Sequence, residues 1–127
     1  MKKQDKVNNK NIGNAGEDAA AAYLESNGYL ALYRNYRTKT GEIDIIAKKN
    51  GIIHIVEVKT SNHGSPIMPE ENYTKAKARQ VFRMAELFAA KENIMDAPMQ
   101  IDLIAVRIKD DHSVDSLHYY ENVIVGD

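Results

Sequence analysis

The chain has 127 residues, 43% of them hydrophobic, which suits one folded core and is too apolar for a disordered chain. It has no cysteine, which excludes disulfides, zinc–thiolate sites and cysteine nucleophiles. The formal charge is −1, but residues 110–127 carry five acids and no Lys or Arg, leaving +4 on the remainder, a balance that permits a nucleic-acid partner without arguing for one.

Residues 1–11 are polar and rich in Lys and Asn, and read as a mobile tail ahead of one domain over 12–127. They lack the apolar stretch of a secretory signal, and no apolar run is long enough to span a bilayer, so a cytoplasmic protein is expected. A helix is predicted over about 15–27, with Asn14 as its N-cap and Glu17 completing a capping box. Gly16, Ala19, Ala20, Tyr23 and Leu24 share one face, and their small side chains suit close packing on a sheet. Gly28 ends that helix as its C′ residue.

YLALYRNYR, from Tyr29, reads as a strand. GEIDIIAKK and IIHIVEVKT follow as two strands joined by Asn50-Gly51, a strong hairpin signal. Residues 61–71 read as a loop, and a long helix is predicted over roughly 71–92 with Val81, Met84, Ala85 and Phe88 buried. MQIDLIAVRI is a strand, and SVDSLHYYENVIV supplies one or two more. The order is αβββαβ plus a final strand, an α/β fold.

A two-residue turn at Asn50-Gly51 sets the hairpin register. Lys49 then pairs with Ile52, Asp44 faces Glu57 and Glu42 faces Lys59. These four point to one side, while Ile43, Ile45, Val56 and Val58 point into a core. Two facing carboxylates repel, and a divalent cation between them removes the conflict. Such an ion can activate water and polarise a phosphoryl oxygen, and Lys59 on the same face can stabilise developing negative charge. The plainer alternative is a solvated strand face with a Glu42–Lys59 ion pair. Glu17 is a third candidate carboxylate; its alternative is the capping role alone.

Other charged groups have two readings each. Lys75, Arg79 and Arg83 recur every four residues on the long helix, with Lys77 and Lys91 nearby, and Arg34, Arg37 and Lys39 lie beside the hairpin. They suit the phosphates of a nucleic-acid backbone, or form ordinary solvated faces. None forms a base-reading pattern. His54 reads as a satisfied, partly buried residue, and His63 as a loop residue near the end of EVKT.

Gly16-Glu17, Ala20, Tyr23-Leu24, Gly28-Tyr29, Arg34-Asn35-Tyr36-Arg37, GEIDIIA at 41–47 and EVKT at 57–60 together resemble the YraN family of small bacterial proteins. Lys77 and the strand around Asp102 match more weakly. That family looks like the Holliday-junction-resolvase branch of the restriction-endonuclease-like PD-(D/E)xK nucleases. The resemblance implies a restriction-endonuclease-like core over 12–109, a mixed sheet flanked by helices, and a Mg²⁺- or Mn²⁺-dependent phosphodiesterase site acting on structured or branched DNA. Asp44, Glu57 and Glu17 would be its metal ligands and Lys59 its catalytic lysine; the charge pattern, not the resemblance, offers Arg34, Arg37, Lys75, Lys77, Arg79 and Arg83 as nucleic-acid contacts. Resolvase-like relatives work as dimers, and the resemblance extends to a homodimer.

The chain departs from the family pattern at two places. Ser61 stands where the family usually has Arg after EVKT, and Asn14-Ala15 where it often has a basic residue. Both departures remove phosphate contacts and leave the metal ligands in place. Two rival readings follow: a nucleic-acid-binding module without turnover, and a protein-interaction domain that docks through its acidic C-terminal segment.

Overall fold

The computed structural model describes the backbone of residues 3–123 and the side chains from residue 11 onward within that range. The elements are α1 (Lys3–Ser26), β1 (Leu30–Thr38), β2 (Gly41–Lys49), β3 (Ile52–Asn62), α2 (Lys75–Lys91), β4 (Met99–Ile108) and β5 (Val114–Tyr120). A short 3-10 turn at Pro69–Asn72 precedes α2, so the long helix starts later than the expected residue 71. Thr74 caps α2, its hydroxyl accepting from the Lys77 amide at 3.1 Å.

The first helix also begins elsewhere than expected. It runs through Asn14 from Lys3, so Asn14 is not an N-cap and Glu17 lies in the helix interior, not in a capping box. No proline interrupts residues 3–13, and Gly13, which costs roughly 1 kcal/mol in a helix, does not stop it. The mobility expected of residues 1–11 falls largely on residues whose side chains lie outside the described part. At its other end the helix closes as expected: Gly28 has φ 84°, and the Tyr29 amide reaches back to the Leu24 carbonyl at 3.0 Å.

The five strands form one mixed sheet in the order β1-β2-β3-β4-β5. Only β3 and β4 are parallel, joined through α2; the other neighbours are antiparallel. The fold is therefore α/β with a helix on each face, consistent with a restriction-endonuclease-like core. Leu24, Ala20, Ile45, Val56, Val58 and Ile104 close the α1 side. Val81, Met84, Phe88, Ile43, Ile46 and Ile55 close the α2 side. No helix among the described residues is long and apolar enough to cross a membrane.

Gly16 explains how α1 comes so close to the sheet. A Cβ there would lie 2.7 Å from Thr60 Cγ2 and 2.9 Å from Thr60 Cβ, with Oγ1 nearer still. Any larger residue would push the helix off β3 at the point where Glu17 and the EVKT segment meet.

Candidate active site at the fork between β2 and β3

The Asn50-Gly51 turn has positive φ at both central residues, 53° and 79°, as a tight primed hairpin turn requires. It sets the expected register from Lys49↔Ile52 to Ile45↔Val56. There the pairing stops, so Asp44 and Glu57 are not a ladder pair, nor are Glu42 and Lys59. On its other edge β3 pairs with β4 from Ile53 to Asn62, Glu57 lying beside Leu103 and Lys59 beside Ala105. The parallel ladder holds β3 in place while β2 turns away toward β1. Glu42 then pairs with Arg37 at 2.9 Å, not with Lys59.

The side-chain alternation of β2 breaks at the same place. Ile43 packs on the α2 side and Ile45 on the α1 side, so the expectation that they share a face is wrong. Asn35, across from Asp44 in β1, has left-handed backbone at φ 53°. Asp44 thus stands at a kink between the two faces. Its Oδ2 accepts from the Val58 amide at 2.8 Å, filling a backbone bond that β2 no longer makes.

Glu57 lies on the α2 side, in line with Ile53 and Ile55 two and four residues earlier. It is only 2% exposed. Burial pushes its carboxyl up to about 9, and a hydrogen bond to Asp44 and the Asp44 charge push the same way, while Lys77 and Lys59 pull it down. Its Oε1 has no hydrogen-bond partner among the described residues; Lys77 Nζ approaches to 3.5 Å without making one. The Tyr73 hydroxyl is also buried without a partner, and burial and then the Glu57 charge push it up to about 12.

Glu17 approaches from α1. Burial raises its carboxyl, then the charge of Asp44, against the pull of Arg34. Asp44 is therefore the shared neighbour: it acts on Glu17 from one side and on Glu57 from the other. Among the described residues no three His, Cys, Asp or Glu side chains already converge as a metal cage. Asp44 thus lies near enough for its charge to act on both Glu17 and Glu57, with Lys59 following Glu57 two residues later on the same strand.

The other expected residues separate into groups. Arg34 pairs with Asp18 at 2.9 Å, and Arg37 with Glu42, both at the surface near the fork. Lys75 is exposed. Arg79 and Arg83 border a cavity of about 810 Å³ between α2 and the start of β4, along with Ile55, Phe82, Met99 and Ile101. Lys77 alone of the α2 candidates reaches Glu57. It lies four residues before Val81 and seven before Met84, on the buried stripe, and that position was the available sequence signal. His63 lies 3.9 Å from Asp110 at the end of β3, its carbonyl held by Arg107 at 2.5 Å.

A second buried polar cluster carried no local signature. Asp102 is fully buried and accepts from Gln100 Nε2 at 2.8 Å, the Asn122 amide at 2.8 Å and the Tyr119 hydroxyl. His54 Nδ1 lies 2.6 Å from it, so His54 is a satisfied buried residue as expected. Tyr29 completes the group, its hydroxyl 3.0 Å from that of Tyr119. Burial and the Asp102 bond raise Tyr119 far above the ordinary tyrosine range. The cluster ties β3, β4, β5 and the segment after β5 together.

Residues 16–106 match the model of the family described as "Uncharacterised protein family UPF0102". The chain belongs to the UPF0102 family, also called the YraN family. A UPF0102 protein of Geotalea uraniireducens is 35% identical over 96% of this chain and 95% of its own length. One of Dictyoglomus turgidum is 34% identical over 91% of this chain and 98% of its own. One of Persephonella marina is 39% identical over 74% of this chain and 81% of its own. The UPF0102 match begins at Gly16, the residue that lets α1 touch Thr60, and extends through β3 and α2 into β4, so it spans the whole candidate site.

Proposed function

We propose that this UPF0102 protein is a cytoplasmic Mg²⁺- or Mn²⁺-dependent nuclease that hydrolyses phosphodiester bonds in structured or branched DNA. The observation that carries the reading is Glu57: a fully buried carboxyl beside a second carboxylate, with one oxygen left without a hydrogen-bond partner among the described residues. A buried polar atom of that kind is costly unless a ligand satisfies it. The donor set suits a hard cation that takes one or two carboxylates and completes its shell with water and phosphate. Asp44 and Glu57 would hold the ion, with Glu17 assisting from α1. The ion would supply Lewis acidity toward a phosphoryl oxygen and make water a stronger acid.

The rest is the work of the chain's own residues. Lys59 shares the Glu57 face and would neutralise charge that develops on the phosphate. Arg34 and Arg37 hold acids in surface pairs that are individually weak, so either can turn to a backbone phosphate. Lys75, Arg79 and Arg83 extend the positive surface along α2. All of these suit recognition by backbone and shape, without base reading. A homodimer belongs to the same reading.

The test is cleavage of duplex, flap and four-way-junction DNA by wild-type protein and Glu57→Ala, with Mn²⁺ binding measured by titration calorimetry. The reading expects binding and cleavage in wild type and neither in the variant. Absence of Mn²⁺ binding in wild type, with and without DNA, would overturn it. A second reading, a nucleic-acid-binding module without turnover, is favoured by Ser61 and by the lack of a ready three-acid cage among the described residues. It expects DNA binding that survives Glu57→Ala and needs no metal.

A further inference from the structure

Four basic residues on α2 were candidates for phosphate contact, and one of them is in a different situation from the rest. Lys75, Arg79 and Arg83 are exposed. Lys77 lies on the buried face and its side chain is 28% exposed, with Nζ 3.5 Å from Glu57 Oε1. A lysine stem can lie along an apolar wall while its ammonium reaches either inward or out to water. Here the inward position is loose, since no hydrogen bond forms between the two groups. Tyr73 has its hydroxyl buried without a partner among the described residues and feels the Glu57 charge, yet makes no hydrogen bond to Glu57 Oε1.

We propose that Lys77 is an internal counter-ion of the active centre, which pairs with Glu57 while no divalent cation is held there, competes with that cation for the carboxylate, and once displaced offers its ammonium to the phosphate of the bound strand. This rests on the reading that Asp44 and Glu57 hold a cation. Below about pH 9 Glu57 keeps its proton, but the Asp44 charge beside this buried carboxyl is costly without a positive neighbour, and a lysine offsets it without closing the site permanently. A cation that arrives must remove the ammonium from Oε1, because two positive charges at that oxygen repel strongly at low dielectric. Lys77 is then left beside the cation site with a free charge and a flexible stem. Lys59 lies on the strand below and Lys77 on the helix above, so the two lysines would bracket one phosphate.

The consequence runs against the usual expectation for a site residue. Removing Lys77 should tighten cation binding and slow the chemistry. Mn²⁺ is titrated calorimetrically into wild type, Lys77→Met, Lys77→Arg and Lys48→Met, the last an exposed lysine on β2 that reports the general effect of losing one positive charge. Lys77→Met should bind Mn²⁺ about tenfold more tightly than wild type. Lys77→Arg should stay near wild type, and Lys48→Met should change less than twofold. In cleavage, Lys77→Met should lower kcat about a hundredfold and Lys77→Arg should recover much of it. Equal or weaker Mn²⁺ binding by Lys77→Met, with wild type binding normally, overturns the counter-ion role and leaves the nuclease reading intact. No Mn²⁺ binding by any variant overturns both. Thermal melts establish that each variant is folded, and Lys77→Arg keeps the test decisive if Lys77→Met is not.

Discussion

Gly16 on α1 and Thr60 on β3 touch so closely that a single added methyl group would enter the threonine side chain. This contact sets the height of α1 over the sheet and hence the reach of Glu17 toward Asp44. Gly16→Ala should lower stability by about 1–3 kcal/mol, in spite of alanine's better helix propensity. Thr60→Ala in the same chain should recover part of the loss. Urea denaturation of the two single variants and the double variant measures the coupling.

The raised Glu57 carboxyl makes the metal-free protein sensitive to pH. Its ordinary value is 4.5 and its folded value about 9. Between these the folded chain binds a proton that the unfolded chain has released, so its contribution is complete below 4.5 and is lost as pH rises through 9. The slope from this one group is at most about 1.4 kcal/mol per pH unit. Glu57→Gln, which stays neutral, should flatten it. Urea midpoints at pH 5.5, 7 and 8.5 for both proteins give the answer; equal slopes would remove Glu57 as the source.

Cation affinity should follow the same proton. Mn²⁺ must displace it, so binding should strengthen with rising pH up to about 9 and release close to one proton per ion below that point. Calorimetry in two buffers of different ionisation enthalpy counts the protons.

Asp102→Asn should destabilise the chain by about 3 kcal/mol or more, since it opposes an amide to donors that now meet a buried carboxylate. The loss should appear first as faster hydrogen exchange at the Asn122 amide. Normal exchange there would mean that backbone pairing, not Asp102, holds the end of β5.

Thr74→Ala should cost about 1 kcal/mol by removing the cap on the Lys77 amide. Exchange at that amide should rise while the middle of α2 stays protected.

These features differ in how readily the chain reveals them, and the difference is physical. The hairpin register is local: two residues with positive φ dictate which of their neighbours pair, and Lys49↔Ile52 through Ile45↔Val56 follow directly. The fork is not local. It arises because β4, more than 40 residues along the chain, holds β3 beyond Val56 while β2 turns to β1. For the same reason Glu57 and Asp44 could be named as partners from alternation, yet their geometry as a kink contact could not. The start of α1 is hidden because Asn14 carries a strong local cap signal that uninterrupted helix overrides. Lys77 was partly legible, as a basic residue in register with Val81 and Met84. The His54–Asp102–Tyr119 group joins residues 48 and 17 positions apart, and no periodicity links them.

Asp44 holds the Val58 amide with the same carboxylate that neighbours Glu57 and Glu17. Deleting that side chain would therefore do two things at once: silence any reaction and leave the Val58 amide beside Glu57 without its partner. An inactive alanine variant would look like proof of chemistry while reporting damage to the scaffold. Asparagine keeps an oxygen for Val58 and gives up only the charge, so at this position it separates the reagent from the rivet.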